Sequence, residues 1–544
     1  MLSMRKLIIT TIALSLLCAA CAVAKPFEIR GIKGLWWEGI DKYSQVMPWL
    51  AEHDLNFLML CYSSFPASGM DWRSQYTTEE QNQFRELNAQ GKKLGVDVCL
   101  SFNPGIWSKP QLVYSNDADY EIAIDKIRTV HSLGINWFAL CLDDINRALA
   151  PEDQARFGNL QAAQVHFVNR LWNSMKTMSP RPKMIFCPSA YTTEDMNAHL
   201  DYTRAIGEGI DPEIMLFWTG PTVCAASINS ADAKEVEKLL KRKPFIWDNY
   251  PVNDMFPWRP LMSPLKNRSA DLAGSVSGYI SNPMKQLRIS EVVLATTAAY
   301  LNDPAHYDPA KAMEAAINKY PADQRQAIRL LVELYGSSFW GEEGFPPKPR
   351  NDRPEEAAKM VQRHRALRSM LSKNASLSEL WEEVRPTLNE DIAALDRVAD
   401  KGKRANPLLA DGLDFSGGAG EVFGFNKENR WVNYVYAKPT AKSEMSATFD
   451  VAKLPEKGAK LRMVARNGDT APLSRVSVML NGQPIVNSEV IFFNTGFDGR
   501  NFDIPAGALK AGANTLLIRN EENQGTIGSP PWFMVAEAEI VPNP

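Results

Sequence analysis

Histidine is scarce in this 544-residue chain, which holds 6. They are His53, His131, His166, His199, His306 and His364, and all fall in stretches that read as helix or loop. A metal-dependent amidohydrolase wants histidine at its strand ends, and a Ser-His-Asp hydrolase needs one beside its nucleophile. Both chemistries are disfavoured, and neither a metal nor a cofactor is expected. Net charge is scarce too: 60 Lys and Arg against 63 Asp and Glu leave −3. That balance argues against nucleic acid or an anionic membrane surface as partner. Beyond the first residues no apolar run is long enough to cross a bilayer. No C-x-x-C pair follows residue 21, which removes the usual zinc and redox motifs. The first strand–helix turn has no G-x-G-x-x-G, against a dinucleotide site. Hydrophobic residues make up 45 %, too many for a disordered chain.

The N-terminus reads as a leader rather than as fold. Arg5 and Lys6 precede the apolar run Leu7 to Leu17, and Ala22-Val23-Ala24 forms an A-x-A cleavage site. Residues 1–24 are therefore expected to be a bacterial-type signal peptide. Leu17-Cys18-Ala19-Ala20-Cys21 also has the form of a lipoprotein box, with Cys21 lipidated. The chain is expected to be exported, whether periplasmic, secreted or anchored in the envelope, with membrane attachment only through Cys21. Of the other cysteines, Cys61, Cys99, Cys141 and Cys187 lie in or at the end of apolar runs, and Cys224 follows another. Buried thiols acting as small hydrophobes fit this better than a disulfide framework.

Residues 26–303 alternate between two textures. Short apolar runs stand at Ile29–Trp36, Leu55–Tyr62, Val96–Phe102, Trp137–Leu142, Met184–Cys187, Ile214–Trp218, Pro244–Trp247 and Val276–Ile280. Between them lie helix-favouring stretches such as Thr78–Lys93, Tyr120–Leu133, Gln161–Met178 and Ala231–Lys241. Eight strand–helix repeats over this length favour a closed (β/α)8 TIM barrel over an open doubly wound sheet. Residues 304–411 read as a helical domain, clearest at Glu355–Lys373 and Ser376–Lys401. It is interrupted by the Pro-rich Phe345–Pro349, and Pro386 is expected to break or kink the second helix. The glycine-rich Gly412–Gly420 reads as a linker. Residues 421–544 alternate with period two, and Val476–Leu480 enters an Asn481-Gly482 turn, as in an antiparallel β-sandwich. The fold class is thus multidomain α/β: barrel, helical domain, sandwich. Trp431 and Tyr434 have the chemistry either of a sugar platform or of sheet core.

In a barrel the C-terminal strand ends form one rim and build the active site. Here the rim reads Gly34-Leu35-Trp36-Trp37, Tyr62-Ser63-Ser64, Asn103-Pro104-Gly105, Asp143-Asp144, Tyr191, Trp218, Trp247-Asp248-Asn249, Asn253-Asp254 and Asn282. Aromatic faces stack on the C–H surface of a sugar, and amides and carboxylates bond its hydroxyls. The run Trp137-Phe-Ala-Leu-Cys-Leu142 leads straight into Asp143 and Asp144. A helix cap plus one solvated Asp is the plain reading of that pair. A catalytic reading also stands: two carboxyl groups so close repel, and one should keep its proton to higher pH, as a general acid must.

Six ordered strings carry a resemblance: Leu140-Cys-Leu-Asp143-Asp144, Phe186-Cys-Pro-Ser-Ala-Tyr191, Trp218-Thr-Gly-Pro221, Ile246-Trp-Asp-Asn249, Val252-Asn-Asp254 and Ser281-Asn-Pro-Met284. Together they resemble glycoside hydrolase family 84, the β-N-acetylglucosaminidases that include O-GlcNAcase and bacterial hyaluronidase-like enzymes. The resemblance implies a retaining enzyme that acts on an N-acetylglucosamine-containing glycan or glycoconjugate. Asp143 would orient the 2-acetamido group, whose oxygen closes an oxazoline, and Asp144 would serve as general acid, then base. By the same resemblance Gly34, Tyr191, Trp247, Asn249, Asp254 and Asn282 would bind the sugar. The chain departs from the family after strand two, where the family has a lysine followed by an acidic pair and this chain aligns Ser63 and Ser64. A lost lysine removes a charge-assisted hydrogen bond worth about 1.5–3 kcal/mol, with Tyr62 or Trp37 as its substitute. Two other readings stay open here: a non-catalytic carbohydrate-binding barrel, and a hexosaminidase for a different amino sugar.

Overall fold

The structure, a computed structural model, describes residues 26–544 apart from 35–39, 65–70, 106–110, 255–258, 337–353, 400–408, 411–412, 420, 424–430, 469–471, 495 and 529–530. The expected leader with Cys21, residues Trp36 and Trp37, and the stretch Phe345–Pro349 lie outside the described residues. The chain divides into two compact units, Met1–Asn253 with Pro260–Phe345, and Asp254–Arg259 with Pro346–Pro544.

In the first unit eight strands close into a parallel barrel in sequence order: β1 Arg30–Lys33, β2 Phe57–Leu60, β3 Asp97–Phe102, β4 Trp137–Cys141, β5 Lys183–Cys187, β6 Met215–Trp218, β7 Phe245–Asp248 and β8 Gly278–Ser281. The apolar runs produce this because both faces of each strand are covered. Phe57, Met59, Cys99, Trp137, Ala139, Cys141, Ile185, Cys187, Phe217, Phe245, Trp247 and Ile280 fill the interior as one cluster. The residues between them, such as Leu58, Leu60, Phe138 and Leu140, are equally buried on the opposite face. Gly278 makes room for the filling: a Cβ there would stand 2.4 Å from the Phe245 ring. Local signals start the helices where they begin. Thr77 and Glu80 form a capping box at Thr78–Leu94, and Asn159 and Asn229 cap Leu160–Met175 and Ser230–Leu240. Cys61, Cys99, Cys141 and Cys187 are buried, as small hydrophobes are.

Past residue 304, helices Pro309–Asn318 and Ala322–Leu334 group with the barrel, whereas Pro354–Lys373 and Ser378–Ala399 belong to the second unit. The last two share an apolar seam of Ala357, Val361 and Leu395. Pro386 does not break the second helix, contrary to expectation. It forfeits one backbone hydrogen bond, but Val384, Leu388 and Ile392 are buried along one face and hold the helix together across it.

The remaining chain forms two five-stranded antiparallel sheets, the expected sandwich. The stretch read as a linker is already part of it. Ser416–Gly417 pairs with Met445 and Ser446 as an edge strand, and Leu413 donates its N–H to Ala538. Gly417 and Gly418, at φ 91° and 57°, supply the left-handed backbone that this crossing requires. Tyr434 is 4 % exposed and stacks on Tyr436 against Trp532, so it is sheet core and not a sugar platform. The Trp431 side chain lies outside the described residues.

Candidate active site

Leu142 continues the β4–β5 ladder with its N–H on the Cys187 carbonyl at 2.9 Å, and the chain then leaves the sheet. Asp144 takes a left-handed φ of 54°, which a short polar side chain tolerates better than a branched one. The turn gives the neighbouring carboxylates different surroundings: Asp143 is 6 % exposed, while Asp144 faces solvent. Hydrogen bonds tie this corner to the end of β5. Ser189 Oγ donates to the Leu142 carbonyl at 2.9 Å, Gln164 donates to Ser189 Oγ at 3.0 Å, and Arg147 donates to the Ser189 carbonyl at 2.6 Å. Arg147 is held in turn by Asp195.

A tyrosine meets each member of the pair. Tyr62, from the end of β2, donates to Asp143 Oδ2 at 3.4 Å, and Tyr191, beyond β5, donates to Asp144 Oδ1 at 2.9 Å. Burial pushes both phenols well above the ordinary tyrosine range, so both remain donors. Asn103 donates to the Asp143 carbonyl at 3.2 Å. Asp143 Oδ1 is buried with no partner among the described residues. Burial, then the charge of Asp144, pushes the Asp143 carboxyl up to about 6, with Lys33 and the hydrogen bond from Tyr62 pulling the other way. The raised proton affinity therefore falls on the carboxyl to which the resemblance assigns the orienting role.

The opposite wall comes from β7 and β8. Trp247 packs edge-on against Phe217 with centroids 5.3 Å apart, and its buried indole N–H has no partner among the described residues. Asn249 donates to the Val223 carbonyl at 2.8 Å and accepts from Asn282 Nδ2 at 2.9 Å. The buried Oδ1 of Asn282 has no partner among the described residues. Behind them Asp248 receives two bonds from Arg268, at 2.9 and 2.8 Å, and the Tyr279 hydroxyl. The Asp248 carbonyl accepts the N–H groups of Tyr250 and Asn282 at 2.8 Å each. Gly34, just past β1, bonds Met59 through its N–H at 3.1 Å and accepts from the Tyr43 hydroxyl at 3.2 Å.

Of the residues singled out in the sequence, Asp143, Asp144 and Tyr191 come together at one corner. Trp247 lines the same interior cluster as Tyr62, Cys61, Cys141 and Cys187, and Tyr191 packs on that cluster. Asn249 and Asn282 form a pair of their own. Asp254 is exposed, next to residues outside the description, and falls in the second unit. Ser63 stands in a short 3-10 turn, and its side chain lies outside the description. The sequence placed Asp248 on the rim without giving it a role, and Arg268 and Lys33 were passed over. Asp248 had a visible signal, a charge at the end of an apolar strand. Arg268 had none, because its partner is 20 residues away. Lys33 ends β1 after Gly31 and Ile32, and its charge is only 2 % exposed.

The arrangement offers one buried carboxylate with an open oxygen, one exposed carboxylate holding a phenol, and unpartnered amide and indole groups. Buried polar groups in native proteins are normally paired, so such atoms mark the place of a ligand. A polar ligand bearing hydroxyl and amide groups satisfies them.

The family model for beta-N-acetylglucosaminidase matches residues 29–333. The chain is 26 % identical over 275 residues to protein O-GlcNAcase of Mus musculus, and equally to that of Rattus norvegicus. Each match covers 50 % of this chain and 29 % of the relative, so the chain spans under a third of those proteins. Among solved structures, a mutant O-GlcNAc hydrolase of Thermobaculum terrenum superposes with a TM-score of 0.60 at 25 % identity, covering 69 % of this chain and 84 % of that one. A structure described as CpGH84B does so with a TM-score of 0.58 at 21 % identity, over 69 % of each chain, and speaks for the fold alone.

Proposed function

Since the chain belongs to the beta-N-acetylglucosaminidase family, we propose that it hydrolyses β-linked N-acetylglucosamine with retention, using the substrate's own acetamido group as nucleophile. The carrying observation is the Oδ1 of buried Asp143, which has no partner among the described residues, one residue from the Asp144–Tyr191 hydrogen bond. Asp143 Oδ1 accepts the acetamido N–H and turns the amide so that its oxygen reaches the anomeric carbon. The bond from that carbon to the leaving oxygen breaks as the oxazoline closes, and Asp144 delivers a proton to the leaving oxygen. Asp144 then takes a proton from water, which opens the ring on the same face. Tyr191 supports the acetamido oxygen, Trp247 walls the acetamido pocket, Gly34 presents its carbonyl, and Asn249 and Asn282 meet the sugar hydroxyls. The glycan or glycoconjugate that carries the sugar is the partner.

A panel of aryl β-glycosides tests this. Turnover of the N-acetylglucosaminide, with none of the plain glucoside, is expected because glucose lacks the internal nucleophile. Equal turnover of the two would exclude the oxazoline route. Binding of N-acetylglucosamine without turnover of any glycoside would mean a lectin-like barrel.

A further inference from the structure

Lys33 closes β1, in register with Met59 of β2. Its amine lies 4.2 Å from the centroid of the Trp247 ring and 5.6 Å from that of Tyr62, so the side chain points into the barrel. There it meets the interior cluster that holds Met59, Cys61, Cys141 and Cys187. An isolated ammonium in such surroundings costs several kcal/mol unless an anion offsets it. Tyr62 leads to that anion, since the ring beside Lys33 carries the hydroxyl that donates to Asp143 Oδ2.

The described titratable groups around Asp143 come from four strands and their ends. Lys33 is on β1, Cys61 and Tyr62 follow β2, Cys141 and Asp144 flank it at β4, and Cys187 and Tyr191 stand at β5. Burial keeps the Cys141 and Cys187 thiols and both phenols neutral. Among these groups Lys33 is the cation, set against the repulsion between Asp143 and Asp144.

We propose that Lys33 is a positioning residue of the active site, an interior cation that keeps Asp143 ionised and its Oδ1 able to accept the acetamido N–H at neutral pH. This rests on the hydrolase reading above. The family's lysine after strand two has no counterpart at Ser63, and the charge at Lys33 enters from a different strand and acts on a carboxylate rather than on a sugar hydroxyl.

Two measurements on the full chain test it. The first needs no activity: infrared difference titration of the carboxyl band that Asp143→Asn abolishes. Its midpoint, near pH 6 in the parent protein, should rise by about one pH unit or more in Lys33→Met, the effect of one nearby charge at an effective dielectric of about 20. In Lys33→Arg it should stay near the parent value. The second is the pH profile of kcat/KM. Its acid limb should move up in Lys33→Met by the same amount, with activity returning at higher pH, which a packing role would not produce. An unmoved midpoint overturns the proposal. If no acetamido sugar is turned over, the hydrolase reading fails, while the infrared titration still decides the role of Lys33. Should Lys33→Met fail to fold, the double variant Lys33→Met with Asp143→Asn should fold, because neither charge is left alone. Its failure beside a folded Asp143→Asn would reduce Lys33 to packing.

Discussion

Two buried aspartates stand on the same barrel rim and have opposite fates. Asp248, the last residue of β7, has both oxygens occupied by Arg268 and also receives the Tyr279 hydroxyl. Asp143, two residues past β4, has one long bond from Tyr62 and an oxygen with no described partner. Both are buried, so burial alone does not make a carboxylate reactive. The difference is closure. A charge whose hydrogen bonds are complete becomes an anchor, and here Asp248 holds the backbone that presents Asn249 and Asn282. A charge left partly open has an elevated proton affinity and can take a ligand.

That contrast can be broken in four places. The largest effect should come from the open pair. Asp144→Asn should lower turnover of substrates with poor leaving groups by about 10²- to 10⁴-fold, and much less with an activated aryl group. An equal loss on both would remove Asp144 from proton transfer. Next is the closed site. Arg268→Met strands Asp248 and should cost about 3–5 kcal/mol in chemical denaturation. Asp143→Asn should cost far less at pH 8, because the wild-type carboxyl already carries a burial penalty. The sign follows from a folded-state pKa raised from 3.8 to about 6. That penalty is absent below pH 4, grows between about pH 4 and 6, and is complete above. Equal losses in the two variants would erase the distinction.

Tyr191→Phe removes the hydroxyl that donates to Asp144 and, in the proposed reaction, to the acetamido oxygen, and should cost about 1–3 kcal/mol in transition-state stabilisation, read from kcat/KM. No change would take Tyr191 out of the pocket. The gentlest test is pH itself. The acid limb of kcat/KM should fall about tenfold per pH unit below about 6, where Asp143 takes up its proton. A limb near 4 would mean that the carboxylate is as closed as Asp248.

Much of the barrel was readable before any coordinates. Strands buried on both faces leave unbroken apolar runs, and the run from Trp137 to Leu142 ends one residue past the observed strand end, Cys141, where the two aspartates begin. At Pro386 the expected break did not occur, because a local rule about a missing N–H ignores the apolar face that Val384, Leu388 and Ile392 bury across it. Tyr434 was ambiguous because the choice between platform and core depends on which side of its sheet is covered. The Asp143–Asp144 pair, Tyr191 and the two asparagines were legible as chemistry at strand ends. Their partners were not.

Taken alone, the order of apolar runs determined the eight-stranded barrel and which residues end up on its rim, because alternation and strand length are properties of neighbours in the chain. Only the folded structure decided what each rim residue is worth. Lys33 and Asp143 are 110 positions apart and Asp248 and Arg268 sit on separate segments, and the charge balance of a buried carboxylate depends on groups that come together only when the barrel closes.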